Sequence, residues 1–139
     1  MLTLFLSLAL LLMPNLPSEN ENQNLTIQIT GLASSEGQVR IAVYNSAEAF
    51  TKTPFLAQEV KVNGKQTVEA TFSLPEGDYA IAAYHDENEN GKLDTNLVGI
   101  PKENYGFSNN ARGTLGPPSF EEASISVDES AQTTQIELS

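Results

Sequence analysis

The chain has 139 residues, with 18 acidic side chains against 7 basic ones, a single histidine and no cysteine, giving a formal net charge of −11. That balance excludes a nucleic-acid binder, which has to neutralise phosphates with Lys and Arg; it weighs equally against adsorption on anionic lipid, and it suits the binding of cations. The missing cysteines remove thiolate catalysis, disulfides and Cys-ligated zinc, so an apolar core must hold the chain, which is long enough to build one as a single domain.

The first element is Leu2 to Met13, an uncharged apolar run. A membrane-spanning helix needs about 20 such residues, and Pro14 and Pro17 follow at once. The run reads as the apolar segment of a secretory signal, although no basic residue precedes it and no A-x-A site follows. We therefore expect a signal peptide over residues 1–18, a polar linker over 19–23, and an exported domain over 24–139, secreted or periplasmic, with no membrane span in the mature chain.

From Asn24 the pattern has period two. Leu25, Ile27 and Ile29 alternate with polar residues, as do Val39, Ile41 and Val43, then Val60 and Val62, then Val68, Ala70 and Phe72. Each run predicts a half-buried strand. Turn residues separate them at Ser34–Gly37, at Asn63-Gly64, which between alternating runs predicts a tight hairpin, and at Pro75–Gly77. Asp78 to Tyr84 is apolar on both sides and predicts a central strand; Ala123–Val127 and Thr134–Leu138 complete a set of seven. Helical periodicity is confined to one short turn at Ser46–Ala49, which Pro54 stops. The fold class predicted is all-β, a seven-stranded antiparallel sandwich.

Between Asp86 and Ser119 no strand signal persists, in a connection far longer than the usual ~4–6 residues. Its apolar residues, Leu93, Leu97, Val98, Ile100, Tyr105, Phe107 and Leu115, predict an ordered loop over 86–119 packed on the sandwich. It opens with "HDENENGKLD", His85 to Asp94. Set against a twelve-residue calcium loop, Asp86 takes place 1, Asn88 place 3, Asn90 place 5, Gly91 the sharp turn at 6, the backbone carbonyl of Lys92 place 7 and Asp94 place 9. The twelfth place, where a bidentate glutamate belongs, is Leu97; water or a remote acid among Glu103, Glu121 and Glu122 would complete the shell. Asp, Asn and Gly also build metal-free turns, and that reading stays open beside the ion site. His85, alone of its kind, reads as a core or supporting residue rather than a zinc ligand.

Further on, "GIPKENYGFSNNARGTLGPPSF" supplies Tyr105, Phe107 and Phe120 as a platform for a sugar ring or a peptide, with Asn109, Asn110 and Arg112 as directional hydrogen-bonding groups. The competing reading is that these aromatics plug one end of the sandwich and the asparagines cap loop backbone. No serine lies in a nucleophile-elbow context, and the paired acids Glu121-Glu122 read as a solvated stretch.

The segments "YHDENENGKLDTN", "GIPKENYGFSNNARG" and "GPPSFEEA" resemble the signature of an uncharacterised bacterial secreted family, domain of unknown function 2141, over roughly residues 24–138. The resemblance implies an exported immunoglobulin-like or transthyretin-like sandwich. "LPEGDYAIAAYHDENENGKLD" is also similar to the strand and calcium loop of adhesin B-type repeats and carboxypeptidase regulatory-like domains, which supports Asp86, Asn88, Asn90 and Asp94 as ligands by analogy. The expectation is a non-enzymatic module with a weak Ca2+ site, structural or adhesive at the cell envelope. The alternative is a module binding cell-envelope glycan or peptide through loop 104–120.

Overall fold

The computed structural model describes residues 21–139, and the expected signal peptide lies outside them. Eight strands follow in order: β1 Gln23–Thr30, β2 Gln38–Tyr44, β3 Leu56–Lys61, β4 Val68–Leu74, β5 Gly77–Asp86, β6 Tyr105–Phe107, β7 Ser124–Val127 and β8 Gln132–Glu137. One 3-10 turn at Ser108–Asn110 and a short helix, α1, at Phe120–Ala123 are the helical pieces.

The strands form two sheets. The smaller has the order β4-β1-β8; the larger runs β3-β2-β5-β6, with β7 also pairing β5. The period-two residues fill the space between them. Leu25, Ile27, Ile29, Phe72, Leu74 and Ile136 from one sheet meet Val39, Ile41, Val43, Ile81 and Ala83 from the other, all buried in one cluster. Strand β5 is central, as its two-sided apolar pattern requires.

Three expectations are corrected. There are eight strands among the described residues rather than seven, because Tyr105–Phe107, inside the long loop, pairs with β5 through Ala82–Tyr84. A three-residue strand is too short to show a period. The pairing is not wholly antiparallel: β1 and β8 run parallel. And Asn63-Gly64 is no hairpin. Its local chemistry is as expected, with positive φ at both residues and Lys65 N–H donating to Val62 carbonyl at 3.0 Å, the signs of a tight mirror-image turn. Yet β3 and β4 lie in different sheets, so the turn carries the chain across the sandwich.

Strand β6 ties the sheets together at one edge. Tyr105 and Ser139 exchange backbone hydrogen bonds of 3.2 and 3.1 Å just past the end of β8. Gly106 permits the approach, since a Cβ there would stand 2.9 Å from the Glu137 carbonyl oxygen.

Of the loop's apolar residues, Phe107 is buried and Leu93 and Tyr105 are partly buried, but the other four do not pack as expected. Leu97, Val98, Ile100 and Leu115 are exposed, Leu97 and Leu115 wholly so. Asn96 gives the reason: its side-chain oxygen accepts from Val98 and Ile100 N–H at 2.9 and 3.0 Å, and its own N–H donates to Ile100 carbonyl at 2.8 Å. The backbone is satisfied within the turn, so no sandwich contact is needed to hold it.

Candidate functional site

Strand β5 delivers Asp86 to the mouth of the long loop, fully buried. Gln38, its partner on β2, is buried too and donates from its side-chain amide to Asp86 Oδ2 at 3.3 Å. The preceding Gly37, at φ +78°, lets the β1–β2 connection press on this corner; a Cβ would meet the Asp86 carbonyl oxygen at 2.5 Å. A side chain there would collide and would also strain the left-handed backbone.

The Asp86 carboxylate then folds the loop around itself. Its Oδ1 accepts from Asn90 N–H at 3.2 Å, and its Oδ2 accepts from Gly91 N–H at 2.8 Å. Asn90 N–H is shared with Asn88 Oδ1 at 3.3 Å, and Asn90 Oδ1 accepts from Lys92 N–H at 3.0 Å. The turn needs positive φ at Glu89 and Gly91. Across it, the Asn88 and Asn90 side-chain amides donate to Asp94 Oδ2 and Oδ1 at 2.8 and 2.7 Å. These amides, Asn90 first and then Asn88, with weaker help from the charges of Lys102 and Lys92, hold the Asp94 carboxyl below its ordinary value of 3.8.

The side chains of Asp86, Asn88, Asn90 and Asp94, picked from spacing alone, thus form one connected network. Lys92 joins it through its N–H. Of the three remote acids, Glu103 is the one at the loop. It is buried, its Oε2 accepts from Glu87 N–H and its Oε1 from Asp94 N–H, both at 2.9 Å. The bond from His85 N–H to Asn104 carbonyl, 2.8 Å, aligns this return strand. Glu121 and Glu122 lie in α1, which leads into β7 where Ser124 pairs with Ala80, six residues or about 20 Å along β5 from Asp86. Among the described residues, no three His, Cys, Asp or Glu side chains form a metal-holding group; the loop set has only two acids besides Glu103, and its remaining donors are amides.

His85 is fully buried, with both ring nitrogens engaged: Nδ1 accepts from Ala33 N–H at 3.1 Å, and Nε2 donates to the Glu36 carbonyl at 2.6 Å. It pins the β1–β2 connection beside the loop.

In the second candidate group, Tyr105 and Phe107 pack edge to face at 6.1 Å. Phe107 is buried, with Phe50 packed edge-on at 6.0 Å. Asn109 donates to the Glu122 and Ser124 carbonyls at 3.2 and 2.8 Å, and Asn110 Oδ1 accepts from Glu137 N–H at 3.0 Å. Arg112 lies over the Tyr105 ring at 5.2 Å and donates to Ser139 Oγ. The asparagines and Arg112 thus tie this segment to the rest of the fold.

Sequence reasoning missed a cavity of about 610 Å³ on the outer face of the larger sheet, to which Arg40, Ala42, Ala82 and Tyr84 contribute. Its signal was present in the strands, as outward alanines alternating with inward Ile and Val.

Residues 27–135 match the model of the family described as an uncharacterized protein conserved in bacteria, domain of unknown function 2141 (DUF2141). No curated protein and no solved structure matches the chain.

Proposed function

The chain belongs to that uncharacterized bacterial family, and we propose that it is an exported, non-enzymatic sandwich of immunoglobulin-like or transthyretin-like kind, structural or adhesive at the cell envelope, whose loop is stiffened by a weakly held calcium ion. The export reading draws on the apolar run Leu2–Met13. The sandwich reading draws on two sheets that share one core.

One observation carries the ion: the acids and amides at loop places 1, 3, 5 and 9 meet in a single network backed by the buried Glu103 carboxylate. Donor accounting leaves room for a cation. A carboxylate offers about four acceptor sites. Asp86 has three in use, from Asn90, Gly91 and Gln38. Asp94 and Glu103 each have two in use for side-chain and backbone donors. Free oxygen lone pairs therefore remain on all three acids. Asn88 and Asn90 would turn amide oxygens toward the ion in exchange for their bonds to Asp94. Oxygen donors from carboxylate and amide in an irregular loop suit calcium better than magnesium, which demands compact octahedral geometry. With so few carboxylates the affinity belongs at the weak end, about 10⁻⁴–10⁻³ M.

The test is thermal unfolding in calcium, magnesium and chelator. Calcium at ten times its dissociation constant stabilises by about 1.4 kcal/mol, a rise in Tm of about 5 °C. Asp94→Ala, at a partly exposed position, should abolish that rise. An equal response in Asp94→Ala, or none in the wild type, removes the ion from the account.

A further inference from the structure

The cavity on the outer face of the larger sheet follows directly from strand register. Ala57, Ala42 and Ala82 are direct neighbours across β3, β2 and β5, and Phe107 of β6 continues the row. Two residues along, on the same face, Glu59, Arg40, Tyr84 and Tyr105 form a second row across the same strands. Two residues the other way, Tyr44 stands with Phe50 packed on its edge at 5.3 Å. The alanine row is thus the floor of a trough between two taller rims. Arg40 and Tyr44 lie four residues apart on β2, which sets the rims about 13 Å apart at the backbone. Phe107 closes one end, and the β3 edge leaves the other open. The cavity, about 610 Å³, falls within the range of about 300–1,000 Å³ typical of small-molecule sites.

The lining joins an apolar floor to rims that carry polar groups. The Tyr44 rim presents an aromatic ring, with Thr51 also in the lining. The other rim carries the charged groups: Arg40 and Glu59 are paired at 2.6 Å and both partly exposed, followed by the two tyrosines. The hydroxyl of Tyr79, elsewhere on β5, is held by the Pro75 carbonyl at 2.6 Å, whereas no residue among those described holds the hydroxyl of Tyr84 or Tyr105. A ligand that fits has a flat apolar face and a polar edge. The rim's two charges cancel, which matches an uncharged ligand, and the chain's net charge of −11 repels anions. A pyranose ring has this form, with C–H groups on its face and hydroxyls at its edge. The open end lets a chain of such rings continue past β3.

We propose that this trough is a binding site for a neutral oligosaccharide: one sugar ring lies on Ala42 and Ala82 between the Tyr44 and Tyr84 rims, and its hydroxyls are bound by the Arg40–Glu59 pair. The floor of the site lies on the strands, with Gly91 and Leu93 of the loop at its border, so binding is measured both in calcium and in chelator to keep the two readings separate.

The probes are cellohexaose, chitohexaose, xylohexaose and maltohexaose, each titrated to about 5 mM and followed by calorimetry and amide chemical shifts, at affinities where a tenfold loss is readily resolved. At least one should bind and shift the amides of Ala42, Ala82 and Tyr84. Ala42→Leu fills the trough from the outer face and should abolish binding. Should that variant fail to fold, Arg40→Gln, at a partly exposed position, carries the test and should weaken binding about tenfold, the equivalent of one hydrogen bond to a charged group. The proposal is overturned if none of the four sugars binds, if both folded variants bind as the wild type does, or if an acidic oligogalacturonate or a Tyr/Pro-rich peptide occupies the trough while the neutral sugars do not.

Discussion

The Glu103 carboxylate accepts the backbone N–H of Asp94 at 2.9 Å, and its second oxygen accepts the N–H of Glu87 at the same distance. One buried side chain, from the segment that leads into β6, thus clamps both the start and the far side of the candidate ion loop. The twelfth loop place, Leu97, projects wholly into solvent. The buried acid therefore stands behind the loop rather than at its end.

Glu103→Gln is expected to destabilise by about 1–3 kcal/mol, because one of the two N–H groups then faces an amide NH2 rather than an acceptor. Glu121→Gln, at an exposed position, should stay within about 0.5 kcal/mol of the wild type. Urea unfolding of the two variants checks the contrast, and faster amide exchange at Glu87 and Asp94 should accompany the first.

His85→Phe keeps a buried ring but leaves the Ala33 N–H and the Glu36 carbonyl without their partners. At about 1–3 kcal/mol for each orphaned group, the expected loss is about 2–6 kcal/mol. A loss under 1 kcal/mol in urea would show that the imidazole is not what pins the β1–β2 connection.

The Asp94 carboxyl is held low in the folded chain by the Asn90 and Asn88 amides. A depressed carboxyl contributes stability that is present above its unfolded value and is lost as pH falls through the folded one. The window therefore lies below pH 3.8. The side-chain amide protons of Asn88 and Asn90 should keep their hydrogen-bonded NMR shifts down to that pH and lose them beneath it, and the Asp94→Asn variant should lack this transition.

Burial pushes the hydroxyls of Tyr44, Tyr79 and Tyr84 above the ordinary 10.0, with Tyr84 also raised by the nearby charges of Asp86, Glu103 and Glu59 and lowered by Arg40. A raised folded value means stability is intact below pH 10 and declines as pH rises through that raised value. Denaturant midpoints should fall from about pH 10 upward. Tyr84→Phe should reduce the slope.

Leu97→Ser is expected to change stability by less than about 0.5 kcal/mol, since the side chain touches nothing that solvent does not. Phe72→Ala, in the centre of the core, should cost about 3–5 kcal/mol. Both are read from the same unfolding experiment, and a large loss at Leu97 would mean that the tip packs against the sandwich in solution.

Much of the fold was legible without coordinates. The inward positions of β1, β2 and β4 are those the alternation marked, because a residue's face in a strand depends only on its parity. The network of Asp86, Asn88, Asn90 and Asp94 was legible for a similar reason: they lie within nine residues, where short-range turn chemistry decides which groups meet. The exposed tip was not legible, since Leu97, Val98 and Ile100 look like core residues until Asn96 is seen to satisfy their backbone.

Amino-acid order alone determined seven of the eight described strands, the turn at Asn63-Gly64 and the oxygen-rich loop, all of which follow from contacts between near neighbours. Only tertiary structure decided that this turn crosses between sheets, that β8 runs parallel to β1, that Glu103 rather than Glu121 or Glu122 backs the loop, and that Ala42, Ala57 and Ala82 line up into a trough. Each of these joins residues far apart in the chain, and which distant partner wins is settled by packing the whole core at once.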